Sequence, residues 1–447
     1  MDLVDFILFP IYCTLFYLIV RYRSKRYNDP LLKIYYRNAF VVRTVACLAF
    51  SIYLVYLSPG DSYSTYYHEA SNIYEQSLKD FSVFPKMIFT SAKDIDPALF
   101  SDNTIGAAVF FDENNYMVVR IATVILFAAF GKYLIANLIF SLLAFEGCWK
   151  LFKFFYYQYP ALHKQFAIAI LYFPTLIFWS SGISKEAICI AGIGYITYGC
   201  YLIFIKRTHI IRNIILVLIF LYFLSNVKIY ILICFMPFLI NYLIAANVSL
   251  LKNKYLKMFL GPVMLVLSFF IGWVFLISNQ DSLGGYALDG ISESIKTEQN
   301  NFILQESTSE SNFNFSTEYD GTPVGLLKLA PSAIGTTLFR PFLWEVNKLS
   351  TLLSALEGTL IIFLTIFVLV KTRFIPVLKI IFKTPIVFFC FSFSIAFSLF
   401  VGASTLNFGS LVRYKIPAMP FYVIALFLIL YFHKISNPLL YSKTKNS

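Results

Sequence analysis

Four groups of polar residues stand at the ends of long apolar runs, where a charge beside lipid is costly and functional use is its default explanation. In SPGDSYSTYYHEASNIYEQ, a Pro-Gly turn is followed by Asp61, Tyr63, Tyr66, Tyr67, His68 and Glu69. Asp61, with Glu69 as a second carboxylate, is a candidate general base, because a carboxylate beside lipid is a stronger base than one in water and suits removal of a proton from a sugar hydroxyl. The competing reading makes Asp61 the cap of the next helix and the tyrosines an interfacial aromatic belt. In FPTLIFWSSGISKEAICIAG, Lys185 and Glu186 lie between two apolar runs with almost no loop and are expected at the outer interface. Lys185 suits a lipid-linked phosphate beside the helix start and Glu186 is a further acid–base candidate; alternatively the two form a snorkelling pair. LAPSAIGTTLFRPFLWEV brings Arg340, Trp344 and Glu345 to a span, and NFGSLVRYKIPAMPFYV brings Arg413 and Lys415 to the last one. Arginine binds phosphate through paired hydrogen bonds, so these cations together would neutralise a diphosphate at the membrane surface.

The elements that must position these groups are transmembrane helices. The chain has 447 residues, 59% hydrophobic and 13% charged, about half the charged share of a soluble domain. Its apolar runs have the roughly 18 to 25 residues needed to cross a hydrocarbon layer as helix. Stretches such as IIFLTIFVLVK are apolar all round, which excludes an alternating outer-membrane β-barrel. Candidate spans fall near 6–20, 39–57, 118–150, 166–181, 184–205, 211–225, 228–247, 256–277, 350–370, 384–402 and 415–432, about eleven in all. The predicted fold is all-α, a single polytopic bundle over residues 1–447 with two long external loops, 58–116 and 278–349. Gly131-Lys132 divides the long stretch 118–150, whose first half is expected to lie at the outer interface or re-enter while the second crosses.

Charge sets the expected topology. The net charge is +12, which in a soluble chain would suggest nucleic acid; here it collects in short connections such as RYRSKRYNDPLLKIYYR, KRTHIIR and LKNKYLK, as expected of loops on the cytoplasmic side. The first long loop carries three lysines against nine carboxylates and the second four cations against nine. Both are therefore expected outside, with the C-terminus in the cytoplasm. Arg413 and Lys415 are then external exceptions to the rule. Seven cysteines lie in or beside spans, with no disulfide or zinc spacing. Only His68 falls outside, so no histidine metal site is expected, while a divalent cation on the acidic loops remains open. No Walker loop or GxGxxG motif is present, and no nucleic-acid partner is expected.

In pieces, the chain resembles bacterial integral-membrane enzymes that use polyprenyl-linked sugars: the EpsG- and Wzy-type polysaccharide polymerases and the wider GT-C glycosyltransferases. GDSYSTYY is similar to the segment opening the first large external loop of EpsG-like proteins, and FPTLIFWSSGISKEA stands where they carry a short charged connection, with Lys185-Glu186 in place of Arg-Gln. LFRPFLWE and RYKIPAMPF are similar to their later arginine motifs. These pieces cover about a fifth of the chain, in the family's order. The resemblance implies glycosyl transfer from an undecaprenyl phosphate or diphosphate donor on the outer face of a bacterial inner membrane, without a required cofactor. By it, Asp61 is the base in a GT-C reading, whereas Arg340 and Arg413 hold the phosphates in a polymerase reading.

Two other classes compete. A secondary transporter or flippase of a glycolipid also uses many spans and intramembrane charges, but near the bilayer midplane. A scaffold subunit would use the acidic loops only for docking and would tolerate loss of Arg340 or Arg413.

Overall fold

The computed structural model describes residues 1–58, 60–95, 113–248, 323–346 and 349–437. The expected span 256–277, most of the second loop, the 96–112 part of the first and the tail lysines Lys443 and Lys445 lie outside them. The described residues are helical and without strands. Among the described residues eight helices are long and apolar enough to cross a membrane, so the protein is a multi-pass helical membrane protein. The chain divides into two compact units, Met1–Gly199 with His209–Ile229, and Cys200–Thr208 with Tyr230–Ser447.

The first unit begins with α1 (Leu3–Ser24), opened by a capping box in which Asp2 and Asp5 each accept from the other's backbone amide at 3.0 Å. Two amides without helical partners are thereby satisfied. Helix α2 (Pro30–Ile52) starts on Asp29, which accepts from Leu31 N, and on Pro30, whose missing N–H costs nothing in the first turn. A wide π-helical turn, Ser62–Tyr67, leads into α3 (His68–Lys79), followed by α4 (Val83–Phe89). Then come α5 (Glu113–Ala128) and α6 (Tyr133–Tyr156). The break expected at Gly131-Lys132 is present: Phe130 and Gly131 take φ values of 51° and 71°. Gly131 is required there, because a Cβ would meet the Tyr74 ring at 2.8 Å in a backbone region that L side chains avoid. Only α6 is long enough to cross, as expected of the second half of 118–150.

The expected span 166–181 is instead broken. A π-helical turn over Ala167–Leu171 ends at Tyr172, and Pro174 opens the short helix α7 (Pro174–Trp179). Residues 180–184 then run as buried irregular chain into α8 (Lys185–Cys200). Irregular backbone at membrane depth persists only where protein surrounds it, and this segment is enclosed. Arg43 on α2 donates to Ile177 O at 3.1 Å and Ser180 Oγ at 2.5 Å. Asn137 accepts from Ile183 N at 2.9 Å and donates to Ser51 Oγ at 2.8 Å.

Helix α9 (Ile210–Val248) has 39 residues, ~58 Å at 1.5 Å per residue and twice the hydrocarbon thickness. Non-helical torsions at Lys228 divide it where two spans, 211–225 and 228–247, were expected. In the second unit, α10 (Pro323–Phe339) packs on α13 (Pro385–Ser404), which packs on α15 (Met419–Ser436). Helix α10 falls inside the expected second loop, where no helix was expected. Between α11 (Leu349–Thr372) and α13 lies α12 (Phe374–Lys383), with Phe374, Ile375 and Phe382 exposed beside Lys379 and Lys383, the pattern of a helix lying along an interface. The last span begins at Met419 rather than Lys415, because Lys415 to Ala418 form a turn.

Small residues let the helices close up. A Cβ at Gly194 of α8 would overlap the Gly147 carbonyl of α6, whereas one at Gly335 of α10 would meet nothing within 4 Å. Gly194→Val is therefore expected to prevent folding or cost several kcal/mol, and Gly335→Ala to be neutral or to stabilise by about 1 kcal/mol. Thermal unfolding of the detergent-purified variants checks both; equal midpoints would refute the packing.

Candidate functional site

The third and fourth polar groups come together in the second unit. Helix α10 ends at Arg340, whose peptide bond to Pro341 is cis. The following turn swings Glu345 back so that its carboxylate accepts from Arg340 Nε at 3.0 and 3.1 Å, from the Arg340 terminal nitrogen, and from Phe342 N at 2.8 Å. The Arg340 guanidinium also lies over the Phe408 ring, 5.0 Å from its centroid. Phe408 opens the short helix α14 (Phe408–Tyr414), capped by Asn407 on Ser410 N, and this helix carries Arg413 and delivers Lys415 at its end. Lys415 is 1% exposed and donates to the Arg340 carbonyl at 2.9 Å. Trp344 stacks on Phe342 yet is 80% exposed. One end of the unit thus gathers Arg340, Arg413 and Lys415 beside an open indole face.

Two carboxylates temper that charge: Glu345 on Arg340, and Glu357 of α11, 6% exposed, which attracts Lys415. Neither was among the expected site residues. Glu345 was named in the third polar group but given no role, and Glu357 was missed, although a carboxylate inside an apolar run is a visible signal. Burial lowers the Lys415 ammonium to about 8, against which Glu357 acts. A lysine whose folded value lies below its unfolded one, ~10.4, makes the unfolded chain bind more protons between the two. Stability therefore rises from pH 8 to pH 10, and Lys415→Met is expected to flatten that rise. Unfolding midpoints of wild type and variant across this range test it, and parallel curves would refute it.

In the first unit the expected residues separate. Asp61 is exposed and makes no capping bond through its side chain, so the capping alternative does not describe it. The neighbouring tyrosines join elements rather than form a belt: Tyr66 OH donates to Asn115 Oδ1 at 2.8 Å, and Tyr67 OH to the Gly131 carbonyl at 2.9 Å. Glu69 is 4% exposed, with His68 Nδ1 3.9 Å away, which does not suit a solvent-facing base.

Glu186 requires the larger correction. It was expected at the outer interface beside Lys185, but it is buried and bonded to Lys228 Nζ at 2.9 Å, with both side chains 7% exposed. Lys185 is half-buried at the start of α8. Lys228 was missed, although a lysine inside a long apolar run is a visible signal. Its non-helical torsions place it at the break in α9. Ile210–Val227 spans ~27 Å as helix, and α8 with its π-helical extension to Lys206 about as much. The pair therefore lies about one hydrocarbon thickness from the basic connection 206–210, near the opposite boundary rather than the midplane.

Among the described residues no group of three or more His, Cys, Asp or Glu side chains is arranged to hold a metal. No protein family, curated protein or solved structure matches the chain. Function is therefore argued from the geometry.

Proposed function

We propose that this chain is a membrane glycosyltransferase of the polysaccharide-polymerase kind, taking sugars from a polyprenyl phosphate or diphosphate donor at the outer face of a bacterial inner membrane. The observation that carries the reading is the gathering of Arg340, Arg413 and Lys415 at one end of the second unit beside the exposed Trp344. Arg340 holds the Glu345 carboxylate through two nitrogens, the arrangement in which arginine also holds phosphate. A donor phosphate would displace Glu345, and the cations would stabilise the negative charge that builds on it as the glycosidic bond breaks. The proton of the attacking hydroxyl would pass to a carboxylate other than Glu345. Trp344 would stack on a sugar ring. The loops 58–116 and 278–349 would lie outside and the basic connections inside, by their charge.

A second reading, a glycolipid transporter, is favoured by the Glu186–Lys228 pair beside the broken segment 167–184, since interrupted helices and buried charges line transport paths. Its depth near a boundary weighs against that reading.

A reconstituted assay separates them. Purified protein in liposomes, given lipid-linked oligosaccharides from native membranes, is expected to convert them to longer products on a gel, with or without EDTA. Glycolipid that changes leaflet without being cleaved would favour the transporter instead.

A further inference from the structure

The end of the first unit opposite Glu186–Lys228 carries a second cationic cluster that the proposed transfer does not use. Arg23 at the end of α1 is bonded to Glu146 of α6 at 2.8 Å, and Tyr36 OH donates to the same carboxylate at 2.5 Å. That carboxylate is thereby committed. One turn further along α6 stand Lys150 and Lys153. The Lys150 ammonium lies 5.4 Å from the ring centroids of both Tyr195 and Tyr198, and that of Lys153 lies 4.6 Å from Tyr198 and 5.7 Å from Tyr27. Lys153 is 7% exposed, and among the described residues its ammonium has no hydrogen-bond or carboxylate partner. The other charges it faces are Lys150, Arg23 and Arg212, against Glu146 alone. Arg212, at the start of α9, is exposed at the rim.

The ammonium of a lysine only 7% exposed, resting on ring faces with two more cations beside it, is an expensive arrangement unless an anion completes it. We propose that this basic end binds a phosphate or diphosphate group, seated between Lys150 and Lys153 against Tyr198 and closed at the rim by Arg212. The site goes beyond the transfer reading and does not depend on it. Two sources carry this chemistry: the headgroup of an anionic lipid, reached from the bilayer, and a soluble phosphate compound, reached past Arg212.

The test follows the unfolding midpoint of the full chain in nanodiscs, because a ligand that binds only the folded state raises it. One arm titrates inorganic pyrophosphate in phosphatidylcholine discs at constant ionic strength. The other replaces part of the phosphatidylcholine with phosphatidylglycerol. A saturable rise with pyrophosphate identifies a soluble ligand, and a rise with phosphatidylglycerol alone identifies a headgroup. In either case Lys153→Met is expected to weaken the effect at least tenfold, while Lys25→Gln, on an exposed residue of the neighbouring basic connection, leaves it unchanged. Should Lys153→Met not fold, Lys150→Gln serves the same purpose. No rise in either arm, or equal rises in wild type and the lysine variants, would overturn the proposal.

Discussion

Glu186→Ala is expected to destabilise the protein by about 3–5 kcal/mol, because it leaves the Lys228 ammonium buried without its carboxylate. Both side chains are 7% exposed and joined at 2.9 Å, so water cannot replace the lost partner. The double replacement Glu186→Leu with Lys228→Met removes both charges at similar volume and is expected to unfold within about 1 kcal/mol of wild type, or above it. Unfolding midpoints of wild type, Glu186→Leu, Lys228→Met and the double variant give the coupling directly. Destabilisation of the double variant as severe as that of Glu186→Ala would mean that packing at the break, and not charge, accounts for the effect. The double variant also tests function: a transporter that uses the pair would lose its activity in a well-folded protein, whereas a transferase acting at Arg340 would keep it.

The second large effect concerns Arg340 and Glu345, whose replacements are expected to act in opposite directions. Arg340→Ala removes the guanidinium that would meet the donor phosphate, and losing one such donor typically costs about 10²–10³ in turnover. Glu345→Gln weakens the internal competitor for that guanidinium. The donor then no longer displaces a charged partner, and its apparent KM is expected to fall about tenfold, the worth of one charge-assisted bond. If the Arg340–Glu345 bonds only brace the cis-proline turn, both variants lose activity together. Donor titrations of wild type and both variants distinguish the cases.

The helical class, most spans and the break at Gly131 were legible because each rests on local chemistry: uninterrupted apolar length, and a glycine before a lysine. The meeting of LFRPFLWE with RYKIP was legible only as residue types, since their 75-residue separation is closed by the packing of α10 on α13 and α13 on α15. Three features were not legible. Segment 166–181 has the composition of a span, and its unwinding depends on distant side chains that hold the open backbone, Arg43 as donor and Asn137 as acceptor. The burial of Glu186 was not legible because its partner, Lys228, lies 42 residues away on α9. Helix α10 read as loop because Pro331 interrupts its apolar run; α13 accommodates it through Gly402, where a Cβ would overlap the Ala333 carbonyl.

The most direct test of the central claim is the initial rate of sugar transfer in proteoliposomes at a donor concentration well below KM, for wild type, Arg340→Ala and Glu345→Gln. The account predicts a rate lost in Arg340→Ala and raised in Glu345→Gln, with all three proteins equally folded. Absence of transfer in wild type, or a Glu345→Gln rate that falls with that of Arg340→Ala, would contradict it.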